Sequence, residues 1–161
     1  MKESISQERT VFRSDITLLR PEQLWPTEAF IPDRVQEVGD QITAEGRWRF
    51  PLLVERTSLV IMDGHHRHEF ALRHELYWVP CFMLDYSQVI LESRLPTVHV
   101  SPSEVILRGL QGRLYPPKTT KHTLRHPLDF RCDIALSELL ISKYTDSREG
   151  NGAPNLTQAR Q

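Results

Sequence analysis

The sequence predicts an α+β fold, a small mixed sheet with packed helices, and three observations carry this prediction. Two short apolar runs at residues 52–55 and 59–62 flank a polar turn, a pattern typical of a β-hairpin. Val35, Val38 and Ile42 recur at helical spacing just before the hairpin. Further apolar runs, separated from the hairpin along the chain, indicate additional strands.

The predicted elements follow one another in a single domain at residues 15–144. A helix over 34–45, capped by Asp33 and ended by Gly46, precedes the hairpin. The remaining expected strands lie at 15–19, 79–85, 98–100 and 128–134, and the remaining helices at 65–75, about 101–111 and 135–140. Residues 1–14 are interpreted as a polar N-terminal segment and residues 145–161 as a disordered tail.

Composition narrows the class of protein. The 161 residues are 39% hydrophobic and 25% charged with a net charge of −1, as in ordinary soluble domains. This balance argues against a general nucleic-acid binder, which carries a basic excess. The chain has no apolar signal core and no run of about 18 apolar residues, so the cytoplasm is the expected location. Cys81 and Cys132 sit in apolar runs and are predicted to be buried free thiols.

The most informative segment is a turn of five residues, Asp63, Gly64, His65, His66 and Arg67. Gly64 allows a tight turn at the end of a strand, and the first turn of the following helix offers unpaired N–H groups to an anion. Arg67 can bind phosphate oxygens with its planar guanidinium, and the two histidines add donors. The pattern therefore predicts a phosphate-binding site.

Two simpler interpretations of this turn remain open. Asp-Gly is a common turn, so the segment is also compatible with an ordinary hairpin end and a polar helix start. Metal binding by His65, His66 and His68 is less favoured, because neighbouring histidines do not share one helix face and no two of these three have the i,i+4 spacing of zinc sites. No metal ligands are assigned, and His68 and His74 are expected on a solvated helix face.

A family resemblance becomes clear at this point. The stretch LVIMDGHHRHEFALRHELYWVPCFMLDY, which begins at Leu59, resembles the core of the ParB/sulfiredoxin superfamily. The resemblance extends over about residues 16–140 and implies a fold that binds nucleotide phosphates at this turn. Sulfiredoxins have a catalytic cysteine where this chain has His65 or His66, and ParB proteins continue into a basic DNA-binding domain that this sequence lacks. The free serine kinase branch is the one that remains.

Two further segments are similar to that branch. The segment Trp25-Pro26-Thr27-Glu28 resembles the loop with the catalytic glutamate, and residues 116–122, PPKTTKH, resemble a PPKTT-x-H segment beside substrate and phosphate. The resemblance implies that Glu28 takes the substrate hydroxyl proton. Asp63 is a second candidate catalytic residue, to orient a histidine, bind Mg²⁺ or assist the base, although it is equally compatible with a turn former.

The remaining site residues are also implied by this resemblance. Phosphate binding is expected from Gly64, His65, His66 and Arg67 together with Lys118 and Thr119, and substrate binding from Thr120 and His122. Mg²⁺ and a nucleotide donor, ADP or ATP, are the expected cofactors. The three tryptophans are expected in the core or an interface and are assigned no ligand.

The resulting functional prediction is a kinase that transfers a phosphoryl group from ADP or ATP to the side-chain hydroxyl of a free amino acid. L-Serine is the favoured substrate, with O-phosphoserine as product. The alternative is a ParB-like regulatory protein that binds nucleotide without transfer. A DNA-binding or nuclease module is a third class, disfavoured by the near-neutral charge, and no membrane or nucleic-acid partner is expected.

Overall fold

The computed structural model describes residues 15–129 and 131–141. The predicted N-terminal segment and the predicted tail lie outside these residues. The strands are β1 (Thr17–Leu19), β2 (Arg47–Trp48), β3 (Leu52–Glu55), β4 (Ile61–Asp63), β5 (Val79–Leu84), β6 (Val89–Ser93), β7 (Thr120–Leu124) and β8 (Ile134–Ala135). The helices are α1 (Pro32–Glu45), α2 (His65–Arg73), α3 (Pro102–Gln111) and α4 (Leu136–Leu139), with short 3-10 turns at Pro21–Gln23 and Tyr86–Gln88.

A four-stranded sheet in the order β1-β5-β3-β4 organises the domain. Strands β3 and β4 form the predicted antiparallel hairpin, whereas β3 and β5 are parallel and are connected through β4 and α2. Strand β1 pairs antiparallel with β5 at the edge. Two further sheets in the described residues have two strands each, β2-β8 and β6-β7. The predicted α+β class with a small mixed sheet is therefore confirmed.

Helices α1 and α2 pack closely because a glycine lies where they meet. A Cβ atom on Gly39 would lie 2.7 Å from the Phe70 ring, so a larger residue would force the helices apart. Val35 and Ile42 are buried on the same helix, as their spacing predicts. Gly46 ends α1 in the left-handed region at φ 63°, where glycine has no steric penalty.

The main core lies between this helix pair and the sheet. Trp48 and Phe70 are fully buried with ring centroids 6.4 Å apart, and removing such large apolar surfaces from water is the main stabilising contribution. Cys81 is buried and Cys132 half-buried, and both are free thiols as expected. Burial raises the pKa of Cys132 to about 11, so this thiol stays protonated and unreactive at neutral pH.

Several predicted boundaries are wrong. The strand expected at 98–100 does not form, and the one expected at 128–134 is reduced to Ile134–Ala135 among the described residues. Strands β6 and β7 instead form a hairpin-like pair from Val89↔Leu124 to Ser93↔Thr120, within segments that were not predicted as strands. The paired residues are about 30 positions apart in the chain, and α3 lies between the two strands. Because the partners are so far apart, no local sequence pattern indicates this pairing.

The start of α1 also differs from the prediction. Ile31, and not Asp33, is the capping residue, and Pro32 occupies the first helical position. Proline suits this position because its fixed φ matches the helix and its missing N–H would have no helical partner there. In the described part of the chain, no helix combines the length and apolar character needed to cross a membrane.

Candidate active site

One cavity of about 330 Å³ brings together the segments that the sequence singles out. The first turn of α2 forms one wall, α1 a second, and the 25–31 loop and the start of β7 the others. The lining residues are Glu28, Arg34, Val38, Asp63, Gly64, His65, His66, Arg67, Arg94, Lys118 and Thr120. Segments separated by more than 50 residues in sequence thus meet at one site.

The turn into α2 requires glycine. Gly64 has φ 105°, and a Cβ atom there would lie 2.4 Å from Leu52 Cδ2, a distance that packed atoms do not tolerate. Its carbonyl accepts the helical hydrogen bond from His68 N–H at 2.9 Å, so α2 begins immediately after it. The first N–H groups of α2 therefore lie at the cavity wall, where their partial positive charge favours an anion.

The side chain of His65 binds the backbone of the 25–31 loop, whereas the sequence predicted that it binds phosphate. Its Nε2 accepts hydrogen bonds from the backbone N–H groups of Thr27 at 3.1 Å and Glu28 at 3.2 Å. Burial lowers the pKa of His65 to about 3, so the ring is neutral near neutral pH. Because the imidazole accepts these bonds from the 25–31 loop, its Nε2 is not available to an anion. The backbone N–H of His65, at the first position of α2, is the group that can bind an anion directly.

His66 and His68 also hold this part of the chain. His66 Nε2 accepts from Ile31 N–H at 3.1 Å, although its ring still lines the cavity. Burial, and then the nearby charges of Arg34 and Lys118, lower the pKa of His66. His68 is buried and donates to the Pro21 carbonyl at 2.8 Å, so the prediction of a solvated face is wrong for this residue.

Glu28 is fixed by a residue that the sequence assigned to the substrate. Its Oε1 accepts hydrogen bonds from both the backbone N–H and the hydroxyl of Thr120, each at 2.6 Å. The Thr120 hydroxyl is thus committed to Glu28. Among the described residues, Glu28 Oε2 has no hydrogen-bond donor, and the carboxylate lines the cavity. One oxygen is therefore anchored, while the other is available for chemistry.

Arg67 lines the cavity and is held in place by backbone carbonyls and a carboxylate. Its guanidinium donates to the carbonyl of Phe50 and to that of Pro51 at 3.0 Å, and it lies 3.5 Å from Asp63 Oδ2. Burial lowers the pKa of Arg67, and the Asp63 carboxylate opposes that shift. A guanidinium held by carbonyls on one side can still present its remaining N–H groups to an anion on the other.

The 116–122 segment divides into lining and supporting residues. Lys118 lines the cavity from a left-handed backbone conformation at φ 57°. Thr119 is buried, and its hydroxyl donates to the Pro116 carbonyl at 2.6 Å, so its side chain supports the loop instead of binding phosphate. His122, predicted to bind the substrate, is hydrogen-bonded to the Tyr86 hydroxyl at 3.0 Å and is not among the residues that line the cavity.

Two lining arginines were missed by the sequence analysis. Arg34 comes from the first turn of α1, and Arg94 follows β6. Neither belongs to a recognisable motif, so only the tertiary arrangement identifies them. With Arg67 and Lys118 they give four cationic side chains against the two carboxylates of the lining. This excess of positive charge suits a polyanionic ligand such as a nucleotide phosphate chain.

A second cavity of about 200 Å³ adjoins the first. It shares Val38 and Arg67 with the first cavity, so the two spaces lie on either side of these residues. Its other lining combines three apolar residues, Ile42, Trp48 and the half-exposed Phe50, with the polar and charged residues Gln41, Glu45, Arg47 and Arg49. A cationic cavity next to one with an exposed aromatic ring, that of Phe50, is compatible with a nucleotide whose phosphates lie in the first space and whose base lies near the second.

The carboxylates of the cavity bear on whether it could hold a divalent cation. In residues 15–129 and 131–141, no three His, Cys, Asp or Glu side chains cluster as a dedicated metal site would require. Magnesium needs less than this, because it commonly keeps several waters and uses one or two carboxylates with substrate phosphates. Asp63, at the edge of the cavity with a side chain 64% exposed, provides such a carboxylate. The residues present therefore fit Mg²⁺ bound together with a nucleotide.

The chain is similar to known proteins in part of its sequence and in its fold. No protein-family model matches it. A ParB-like protein of Sulfolobus acidocaldarius is 36% identical over 74 residues, which are 46% of this chain and 37% of that protein. The chain thus matches little more than a third of the length of this curated relative.

Solved structures give broader matches at lower identity. A free serine kinase in complex with AMP has a TM-score of 0.68 at 16% identity, over 83% of this chain and 96% of that chain. A mutant free serine kinase in complex with ADP has a TM-score of 0.70 at 14% identity, over 83% and 98%. SbnI with a C-terminal truncation, from Staphylococcus aureus, has a TM-score of 0.69 at 13% identity, over 87% and 98%. The solved structures confirm the predicted fold, and the partial sequence match is to a ParB-like protein.

Proposed function

From a ParB-like fold shared with free serine kinase structures, we propose that this chain is a nucleotide-dependent kinase of a free hydroxy-amino acid. L-Serine is the favoured substrate and ADP or ATP the donor. The observation that carries the proposal is the convergence of the phosphate-binding turn, Lys118 and an anchored Glu28 on one cavity. A site for binding alone would need the cations but not the carboxylate.

Phosphate binding is assigned to the cationic part of the cavity. The N–H groups at the start of α2 face an anion there, and Arg34, Arg67 and Lys118 supply positive charge. The nucleoside is assigned to the adjoining second cavity, where Phe50 offers exposed ring surface. Mg²⁺, held by Asp63 and phosphate oxygens, would neutralise charge that develops on the transferred group.

Proton transfer is assigned to Glu28. As the substrate hydroxyl oxygen forms its bond to the terminal phosphorus, the bond from that phosphorus to the bridging nucleotide oxygen breaks, and the hydroxyl proton passes to Glu28 Oε2. Thr120 fixes the other carboxylate oxygen, so the base has little freedom to turn away. Such positioning supplies much of the catalysis available to a phosphoryl-transfer site.

Substrate binding is assigned to the part of the cavity next to Thr120. Arg94 donates from Nε to the Thr120 carbonyl at 3.4 Å, and its backbone N–H donates to Thr119 O at 2.7 Å. Arg94 and Glu28 line the same cavity and both contact Thr120, so a small amino acid with its hydroxyl at Glu28 has this arginine among the cations within the cavity. Arg94 is accordingly proposed as the partner of the substrate carboxylate, since a guanidinium matches a carboxylate with two hydrogen bonds.

The proposal is tested by incubating the protein with ADP or ATP, Mg²⁺ and a panel of free amino acids, and observing products by phosphorus NMR. We expect O-phosphoserine with the unchanged protein and with the control Glu92→Gln, which alters an exposed carboxylate on β6. Glu28→Gln should abolish transfer and retain nucleotide binding. Nucleotide binding with no phosphorylated amino acid from either donor would refute the kinase and favour a nucleotide-binding regulator.

A further inference from the structure

His65 lies below the loop that carries the proposed base. Its Nε2 is 3.1 Å from Thr27 N and 3.2 Å from Glu28 N, and both backbone N–H groups point at this one atom. A nitrogen that accepts hydrogen bonds has no proton, so the ring proton is on Nδ1. The imidazole therefore acts as an acceptor for two consecutive residues, one of which is Glu28 itself.

No other described group replaces this acceptor. Thr27 and Glu28 are both buried, so their N–H groups have little access to water, and a buried N–H without a partner is costly. The Thr27 hydroxyl is 3.1 Å from His65 Nε2, but it donates to the Ile61 carbonyl at 2.9 Å. The two amides thus depend on the ring of His65.

The rest of the loop is held independently. Ala29 N–H donates to the Tyr115 carbonyl at 2.9 Å, and Tyr115 N–H donates to the Thr27 carbonyl at 2.9 Å. Ile31 N–H donates to His66 Nε2 at 3.1 Å. Loss of the His65 ring would therefore loosen residues 27 and 28 while the loop stays attached on either side of them.

We propose that His65 is a positioning residue, whose imidazole fixes the backbone of Glu28 relative to the phosphate-binding turn. His65 is the first residue of α2, and its own N–H lies at the phosphate-binding end of that helix. The backbone of His65 thus belongs to the anion site, and its side chain binds the backbone of the proposed base. The distance between the anion site and Glu28 is therefore fixed by this one residue. This inference rests on the proposed function, since it takes Glu28 to be the base.

The chain provides a matched control in the same helix. His68 is also buried in α2, and its Nε2 donates to the Pro21 carbonyl at 2.8 Å. Removing either ring deletes a buried imidazole and leaves backbone groups without partners, so both changes should destabilise the protein. Of these two histidines, His65 alone contacts the backbone of Glu28, so its removal and not that of His68 should alter the chemical step.

The experiment compares His65→Ala, His65→Gln and His68→Ala at a temperature where all are folded. We expect His65→Ala to lower kcat by roughly 10- to 100-fold, the scale of an ångström-sized misplacement, with the nucleotide KM changed by less than about threefold. His65→Gln should restore part of kcat because its Oε1 supplies an acceptor near the place of Nε2. His68→Ala should keep kcat. An equal loss of kcat in both alanine variants, or no loss in His65→Ala, would overturn the proposal.

Amide hydrogen exchange gives a readout that is independent of turnover. His65→Ala should accelerate exchange at Thr27 and Glu28 well above exchange at Ala29, whereas His68→Ala should not separate these amides. If the unchanged protein shows no transfer but this exchange pattern appears, the kinase fails and the anchoring of the loop by His65 stands. Unchanged exchange at residues 27 and 28 in His65→Ala would refute the anchoring itself.

Discussion

Glu28 and Thr120, 92 residues apart in the chain, are joined by two hydrogen bonds of 2.6 Å to a single carboxylate oxygen. The N–H and the hydroxyl of Thr120 both donate to Oε1, which determines which oxygen faces the cavity. The relationship assigns Thr120 to the support of the proposed base, in place of the predicted contact with a substrate.

Thr120→Val tests this relationship, because it deletes the hydroxyl and keeps both the shape and the backbone N–H. A hydrogen bond to a charged group contributes about 1.5–3 kcal/mol, so we expect kcat to fall by roughly tenfold or more. The measurement is steady-state kinetics with serine and either nucleotide. Thr123→Val, at an exposed position on the same strand, is the control, and similar kcat values for the two variants would contradict the role of Thr120.

Arg94→Ala tests the assignment of the substrate carboxylate. We expect KM for the amino acid to rise by about tenfold or more, the scale of a lost charged hydrogen bond, with the nucleotide KM nearly unchanged. Ethanolamine, which has the amine and hydroxyl of serine without its carboxylate, should be used equally poorly by both proteins. A larger effect on the nucleotide than on serine would place Arg94 with the phosphates.

Gly64→Ala tests the turn. Left-handed strain and the 2.4 Å approach to Leu52 Cδ2 should together reduce the free energy of unfolding by about 2–4 kcal/mol. Gly46→Ala is the matched control, because Gly46 also has a positive φ but has no atom within 4 Å of the added Cβ. It should lose about 1 kcal/mol by urea denaturation. Equal losses would mean that the close approach to Leu52 contributes nothing.

Acid should destabilise the fold through two buried histidines. Burial lowers the pKa of His65 to about 3 and that of His122 to about 4, from an ordinary value of 6.5. Between those values the unfolded chain binds more protons, so stability is lost as the pH falls from about 6.5 towards 4, by roughly 1.4 kcal/mol per pH unit for each histidine. Urea unfolding between pH 7 and pH 5 measures this slope. His122→Gln should make it shallower, and an unchanged slope would contradict the contribution of His122.

The sequence predicted what depends on neighbouring residues. A glycine between an apolar strand and a helix indicates a tight turn from the local sequence alone. The turn at Gly64 and its place in the cavity were therefore predicted from the sequence. The direction of a side chain within the site did not follow, because His65 is drawn to two amides of another segment. Arg94 was missed for a similar reason, since it reaches the cavity through the pairing of β6 with β7.

The 92-residue separation between Glu28 and Thr120 also bears on the order in which the protein becomes competent. The phosphate-binding turn and the loop that it holds lie within residues 25–67, whereas the clamp on the carboxylate waits for a strand that begins at Thr120. Long-range contacts of this kind form late, because closing a long loop reduces chain entropy before any contact compensates it. A partly folded chain would therefore form the phosphate-binding turn before it fixes the proposed base, and the docking of β7 would complete the site.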